Sequence, residues 1–152
     1  MELNSGSVGV ICRVNSKIMP VDKPKPEKTL EDVVELLGAY PIDAFLFVQE
    51  GLGATVRRIH GESSDPDVNR HISGQELSIG LREYALQQWG LLARTVLLRW
   101  GITCTYDFGR IVFALVDNGL MQKTDRDTIE DFRNVYDFKD AFEAGYRIEA
   151  KI

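Results

Sequence analysis

Long apolar runs are missing from this 152-residue chain, whose longest, Ile111–Val116, reaches only six residues. A membrane-spanning helix needs roughly 20, so no span is expected. Cysteine is scarce. Cys12 and Cys104 lie far apart and outside any Cys-x-x-Cys pattern, which argues against a disulfide framework and for idle or buried thiols in a reducing cytoplasm. The two histidines, His60 and His71, are spaced too widely for a His-x-x-x-His metal pair. Cations are outnumbered, with 18 Lys and Arg against 23 Asp and Glu for a net charge of −5. The field of the whole chain therefore repels nucleic acid and anionic membrane. No secretory signal is recognisable, because Met1–Ile18 lacks a basic start and Val8–Cys12 is too short an apolar segment. Gly-x-Ser-x-Gly is absent, and Gly51-x-Gly53 lacks the third glycine of a phosphate loop.

What remains is ordinary globular composition, 44% hydrophobic and 27% charged, in a length that favours one domain with a substantial core. Residues 1–28 read as an N-terminal tail or linker and 29–152 as a single globular domain. In the tail, Val8–Val14 is β-branched enough for a short strand. Pro20, Pro24 and Pro26 make Pro20–Lys28 an extended tether. Met19 before Pro20 is a second candidate start, which would leave residues 1–18 outside the native chain.

From Thr29 the period turns helical. Thr29 with Asp32 is an N-cap pair, and Leu30, Val33, Val34 and Leu37 share a face ended by Gly38. Pro41 opens a second helix running to about His60, with Gly51 and Gly53 predicting a kink or a close helix crossing. Gly61–Arg70 is a polar loop. Ser73 and Glu76 cap a third helix ended by Gly90, and Leu91–Trp100 forms a short, largely buried one. Thr105 or Asp107 caps the next, striped by Phe108, Ile111, Val112, Leu115 and Val116 and closed by Gly119. Leu120–Lys123 and Ile129–Val135 flank a polar turn and suggest a hairpin, and Asp137 caps a last helix with Phe138, Ala141 and Phe142. The expected fold is mainly α: a compact five- to six-helix domain with a small C-terminal β-hairpin and a winged-helix-like second half.

That order invites a DNA-binding reading, but the helix in the recognition position offers only Arg110 and Asn118, offset by Asp107 and Asp117. Lys123 and Arg126 in the wing stand among Asp125, Asp127, Glu130 and Asp131, so an acidic wing would face an acidic backbone. Arg57, Arg58 and His60, with Arg70 and His71 beyond the loop, form the one basic cluster. Arg57, Arg58, Arg70 and Arg110 are the candidate contacts for an anion or nucleic acid. Cations in the last turn of a helix are equally explained by the helix dipole. Phe113 lies off the apolar stripe of its helix, so a second packing layer or an exposed contact would explain it. Together with Lys123 and Arg126 it is the candidate partner surface. The histidines could be drawn with Glu50, Asp65, Asp67 or Glu76 as a general base, a drawing that most domains of this size permit. No catalytic, cofactor-binding or metal-ligating residue is singled out.

Several segments carry a resemblance: Glu50-Gly51-Leu52 with Thr55-Val56-Arg57-Arg58, Ser73-Gly74-Gln75-Glu76-Leu77, Gly90-Leu91-Leu92-Ala93-Arg94, Trp100-Gly101-Ile102, Asp107-Phe108-Gly109 and Gly119-Leu120-Met121-Gln122-Lys123-Thr124. Over about 29–142 the chain resembles a family of small proteins confined to planctomycetes and verrucomicrobia. The resemblance implies a bacterial protein. It implies no activity, ligand or functional residue, since none is assigned to that family. The expected function is a non-enzymatic adaptor or regulatory module that binds a protein, needs no cofactor and works in the cytoplasm. A winged-helix-like nucleic-acid binder and a small enzyme or metal protein using the two histidines are the alternatives.

Overall fold

The computed structural model describes residues 2–3, 28–61 and 71–144. The expected strand at 8–14, residues 20–27 of the tether and residues 62–70 of the polar loop lie outside them.

Helix α1 (Leu30–Leu37) starts where Thr29 and Asp32 cap each other. The Thr29 hydroxyl accepts from Asp32 N at 3.2 Å, and the Asp32 carboxylate accepts from Thr29 N at 3.0 Å. The bond from the Thr29 N–H, and then the Thr29 hydroxyl beside it, hold the Asp32 carboxyl below its ordinary range. Helix α2 (Ile42–His60) follows Pro41, and α3 (Gly74–Trp89) starts from the Ser73–Glu76 box. A 3-10 turn at Gly90–Leu92 leads into α4 (Ala93–Arg99), and α5 (Thr105–Asp117) follows. The described residues are thus mainly helical, and no helix among them is long and apolar enough to cross a membrane.

Helices α2 and α3 cross closely because glycine removes side chains from both sides of the contact. A Cβ on Gly51 would collide with Leu81, and one on Gly80 would collide with Thr55 Oγ1 and stand 2.7 Å from its Cγ2 and 2.8 Å from its Cβ. Gly53 takes no part, since a Cβ there meets only the Arg57 guanidinium at 3.6 Å. Beneath the crossing, Phe45, Leu52, Leu77, Leu81, Phe108, Ile111, Val112 and Leu115 are wholly buried. Phe47 sits among Tyr84, Trp89, Trp100 and Phe108, with ring centroids 5.3 to 6.4 Å away. The two tryptophans meet edge to face at 5.5 Å, a favoured aromatic geometry.

Three expectations are corrected. The first is the hairpin. Ile129–Phe132 is a 3-10 turn, and Met121–Gln122 (β2) pairs antiparallel with Glu2–Leu3 (β1), placing Leu3 opposite Met121. The reason lies in Thr128 and Phe132. Thr128 N donates to the Asp131 carboxylate at 3.0 Å, which starts a helical turn. Phe132 then wedges between α3 and α5 at two glycines: a Cβ on Gly74 would lie 3.1 Å from the ring, and one on Gly109 2.8 Å from its Cγ. Buried Thr105 locks the wedge, donating to Phe132 O at 2.6 Å and accepting from Val135 N at 3.1 Å. The backbone groups of this segment are engaged by a helix side chain instead of a strand ladder.

The second correction is to Leu91–Trp100, expected to be largely buried. Only Ala93 and Leu97 are, and Leu91, Leu92 and Leu98 are exposed. Two helical turns laid on a core bury one narrow i, i+4 stripe and leave the remaining circumference outside. The third is the start of α5. Cys104, exposed and so not a buried thiol, occupies the cap position, while Asp107 reaches back to accept from Thr103 N at 2.8 Å and Cys104 N at 3.3 Å. The C-terminal end is as expected. Asp137 accepts from Lys139 N and Asp140 N, and Phe138, Ala141 and Phe142 are buried over a π-helical turn at Asp140–Ala144.

Candidate functional site

The corner between α3 and α4 exposes three large apolar residues close together in the chain. Leu91 and Leu92 are 64% and 63% exposed, and Leu98 is 43% exposed. On a helix, positions four and seven apart lie in line, so Leu91, Thr95 and Leu98 form one row, with Leu92 and Arg99 in the next. Thr95 and Arg99 are exposed as well. Arg94, at the flank, is ion-paired with Glu143, and its Nε is buried without a hydrogen-bond partner. Ala93 and Leu97 point inward and anchor this outer face to the core.

Of the four candidate anion contacts, the three among the described residues do not converge. Arg57 and Arg58, at the C-terminal end of α2, line a groove of about 330 Å³ with Ala54, Thr55, Gly80, Glu83, Tyr84 and Gln87. Arg58 Nε is ion-paired with Glu83 at 3.2 Å, and Tyr84 donates to Glu50 at 3.1 Å. Burial and then that bond raise the Tyr84 hydroxyl above its ordinary range. Arg58 is therefore already charge-paired, while no ion pair holds Arg57 among the described residues. Arg110 lies by the opposite end of α2, where it donates to Tyr40 Oη at 3.1 Å and stacks over the Tyr40 ring at 5.4 Å. Ile42, two residues after Tyr40, and Arg57 are separated along α2 by about 22 Å at 1.5 Å per residue. Arg70 lies outside the described residues.

Tyr40, Asp107 and Arg110 form a compact network. Buried Tyr40 donates to Asp107 Oδ1 at 2.5 Å, and Arg110 stands 3.8 Å from the same oxygen. Burial and the adjacent carboxylate push the Tyr40 hydroxyl well above the usual tyrosine range, so it stays a donor. With the other Asp107 oxygen holding the start of α5, this network ties the α1–α2 link to α5 and is accounted for as structure.

The two histidines do come together, by a route the sequence did not suggest. His60 Nε2 bonds the carbonyl of His71 at 3.0 Å, and His71 Nε2 bonds Asp127 Oδ2 at 2.8 Å. The carboxylate partner is thus Asp127, and not Glu50, Asp65, Asp67 or Glu76. Asp127 is 4% exposed and also accepts from Thr124 N at 2.8 Å and Thr124 Oγ1 at 3.1 Å. Burial works to raise its carboxyl, but the Thr124 N–H and then His71 outweigh it and leave it below the ordinary value. Among the described residues no three His, Cys, Asp or Glu side chains stand together as a metal set.

Phe113 is half-buried and meets Phe132 edge to face at 6.4 Å, the contact of a second packing layer. Lys123 and Arg126 are exposed around the Thr124–Asp127 turn, where Lys123 donates to Thr124 O and Arg126 N to the Thr124 hydroxyl. Sequence reasoning missed the leucine corner, because apolar composition reads as core. No family model, curated protein or solved structure matches the chain.

Proposed function

We propose that the chain is a non-enzymatic interaction module that docks another protein through the α3–α4 corner, and that it belongs with the planctomycete and verrucomicrobial family it resembles. The observation that carries the docking reading is the single outward face holding Leu91, Leu92 and Leu98. Isolated apolar residues are normal on a surface, whereas adjacent large ones on one face are characteristic of interaction sites. Fully burying a leucine in an interface is worth about 1.5–3 kcal/mol. The corner also sits on a rigid support, since Ala93 and Leu97 beneath it are wholly buried.

The test is affinity capture with nuclease treatment, comparing the wild-type chain with Leu91→Ser/Leu92→Ser. A protein retained after nuclease and lost from the double variant supports docking at this corner. Binding that nuclease abolishes moves the reading to the winged-helix-like nucleic-acid binder. That alternative has lost its expected wing strand, and its arginines are dispersed. The small-enzyme reading has one observation in its favour, the His71–Asp127 bond at 2.8 Å. A histidine held by a carboxylate is the geometry of a general base, although the two Thr124 bonds give Asp127 a structural use. Under the docking reading His71→Gln leaves partner capture intact.

A further inference from the structure

We infer that the Leu91–Leu92–Leu98 face takes an acidic amphipathic helix from a different protein. The inference rests on the docking reading above and adds the chemistry of the partner.

The argument is charge. Residues 84–106 contain neither Asp nor Glu, in a chain that carries 23 of them. Within that stretch the charged side chains are Arg94 and Arg99, both on α4 beside the leucines. Arg94 is paired with Glu143, and no ion pair holds Arg99 among the described residues. The corner thus sets exposed leucines beside one cation, Arg99, that has no ion pair among the described residues, on a chain of net charge −5. A two-fold interface between copies of this chain would present the same face to itself. Arg99 would then meet a face that carries the same cation. An acidic partner meets complementary charge, which favours encounter and orientation.

The shape points to a helix. Leu91 and Leu92 on the 3-10 turn lead into α4, where Leu98 follows Leu91 at i+7, and a ridge of this spacing packs against the groove of a second helix. The fitting partner places leucine-sized residues at i, i+3 or i+4, and i+7, with Asp or Glu on the flank that faces Arg99.

Two synthetic peptides of about 20 residues, long enough to be partly helical in water, provide the probe. They share one leucine spacing, with glutamates on the flank of one and lysines on the flank of the other. Fluorescence anisotropy should show the full-length chain binding the acidic peptide, more weakly as salt rises. Leu91→Ser/Leu92→Ser should weaken that binding by about tenfold or more. Arg99→Glu should weaken the acidic peptide and improve the basic one, a reversal that loss of folding cannot produce. Thermal unfolding of each variant provides the folding control. Equal or better binding of the lysine peptide to the wild-type chain overturns the inference, as does failure of both peptides to bind. A concentration-dependent dimer in sedimentation, abolished by Leu91→Ser/Leu92→Ser, also overturns it and assigns the face to a second copy. If the acidic peptide fails while a captured protein is still lost from the double variant, only the partner chemistry falls. If capture is indifferent to the double variant, the docking reading falls with it.

Discussion

Gly53 on α2 and Gly80 on α3 should respond to the same substitution with opposite signs. Both are interior helix positions, where alanine is favoured over glycine by about 1 kcal/mol. At Gly53 a new Cβ meets only the mobile end of Arg57, at 3.6 Å. Gly53→Ala should therefore stabilise the fold by about 0.5–1 kcal/mol. At Gly80 the new Cβ would collide with the Thr55 hydroxyl and stand 2.7 and 2.8 Å from Thr55 Cγ2 and Cβ. Thr55 is buried, β-branched and bonded through Oγ1 to Gly51 O at 2.7 Å, so rotating its side chain costs that bond and leaves Cβ in place. Relief requires α2 and α3 to separate by roughly 0.6–1 Å, to ordinary carbon–carbon contact.

Overpacking of this kind costs typically about 1–3 kcal/mol. Set against the helix-propensity gain, Gly80→Ala should come out destabilising by up to about 2 kcal/mol. Urea unfolding at constant slope measures both variants. Thr55→Ala supplies the internal check, since it removes Oγ1 and Cγ2 from the collision. The pair Gly80→Ala/Thr55→Ala should be less damaging than the sum of its parts, by about 0.5 kcal/mol or more. Gly80→Ala as stable as Gly53→Ala, or strict additivity with Thr55→Ala, would refute the close crossing and the groove built on it.

Two further perturbations test the supports of the fold. Asp127 has its carboxyl held below the ordinary value, the Thr124 N–H and His71 outweighing the opposing burial, so the fold favours the ionised form. Its contribution is complete above the unfolded value of about 3.9 and is lost as pH falls through the lower folded value. The stability gap between wild type and Asp127→Asn, measured by urea unfolding, should narrow as pH is lowered from 6 toward 3, and a gap that stays constant sinks this account. Gly109→Ala would put a Cβ 2.8 Å from Phe132 Cγ and 2.9 Å from its Cβ, so after the helix-propensity gain it should destabilise by up to about 2 kcal/mol. Phe132→Leu in that background should recover part of the loss, and a neutral Gly109→Ala would mean that Phe132 does not pack there.

The parts of this fold that are legible in the sequence are those whose cause is local. Thr29 with Asp32 and Ser73 with Glu76 announce helix starts three residues apart, and both boxes form. The same spacing recurs at Cys104 and Asp107, Thr124 and Asp127, and Thr128 and Asp131, and each time the acid accepts from the backbone of its partner. The last of these lies in the segment that apolar content assigns to a strand. There the cap spacing was the better guide, because it engages specific backbone donors, whereas a few apolar residues fit a strand or a turn equally well. The Gly51 crossing was legible for a similar reason: an interior helix glycine is costly unless something occupies the space of its side chain.

The candidate site was hidden because its causes are not local. His71 and Asp127 are 56 residues apart, and nothing in the neighbourhood of His71 distinguishes that carboxylate from nearer ones. Leu91, Leu92 and Leu98 have the composition of a core, and whether a leucine is buried depends on which element covers it, a property of tertiary packing. Ala93 and Leu97 fill the one stripe that α4 can turn inward. Apolar residues beyond the number a two-turn helix can bury must face out, and the acid-free run around them then leaves two arginines as their charged neighbours. A stretch too apolar for its own length, and lacking one sign of charge, is therefore a surface signal that the amino-acid order itself carries.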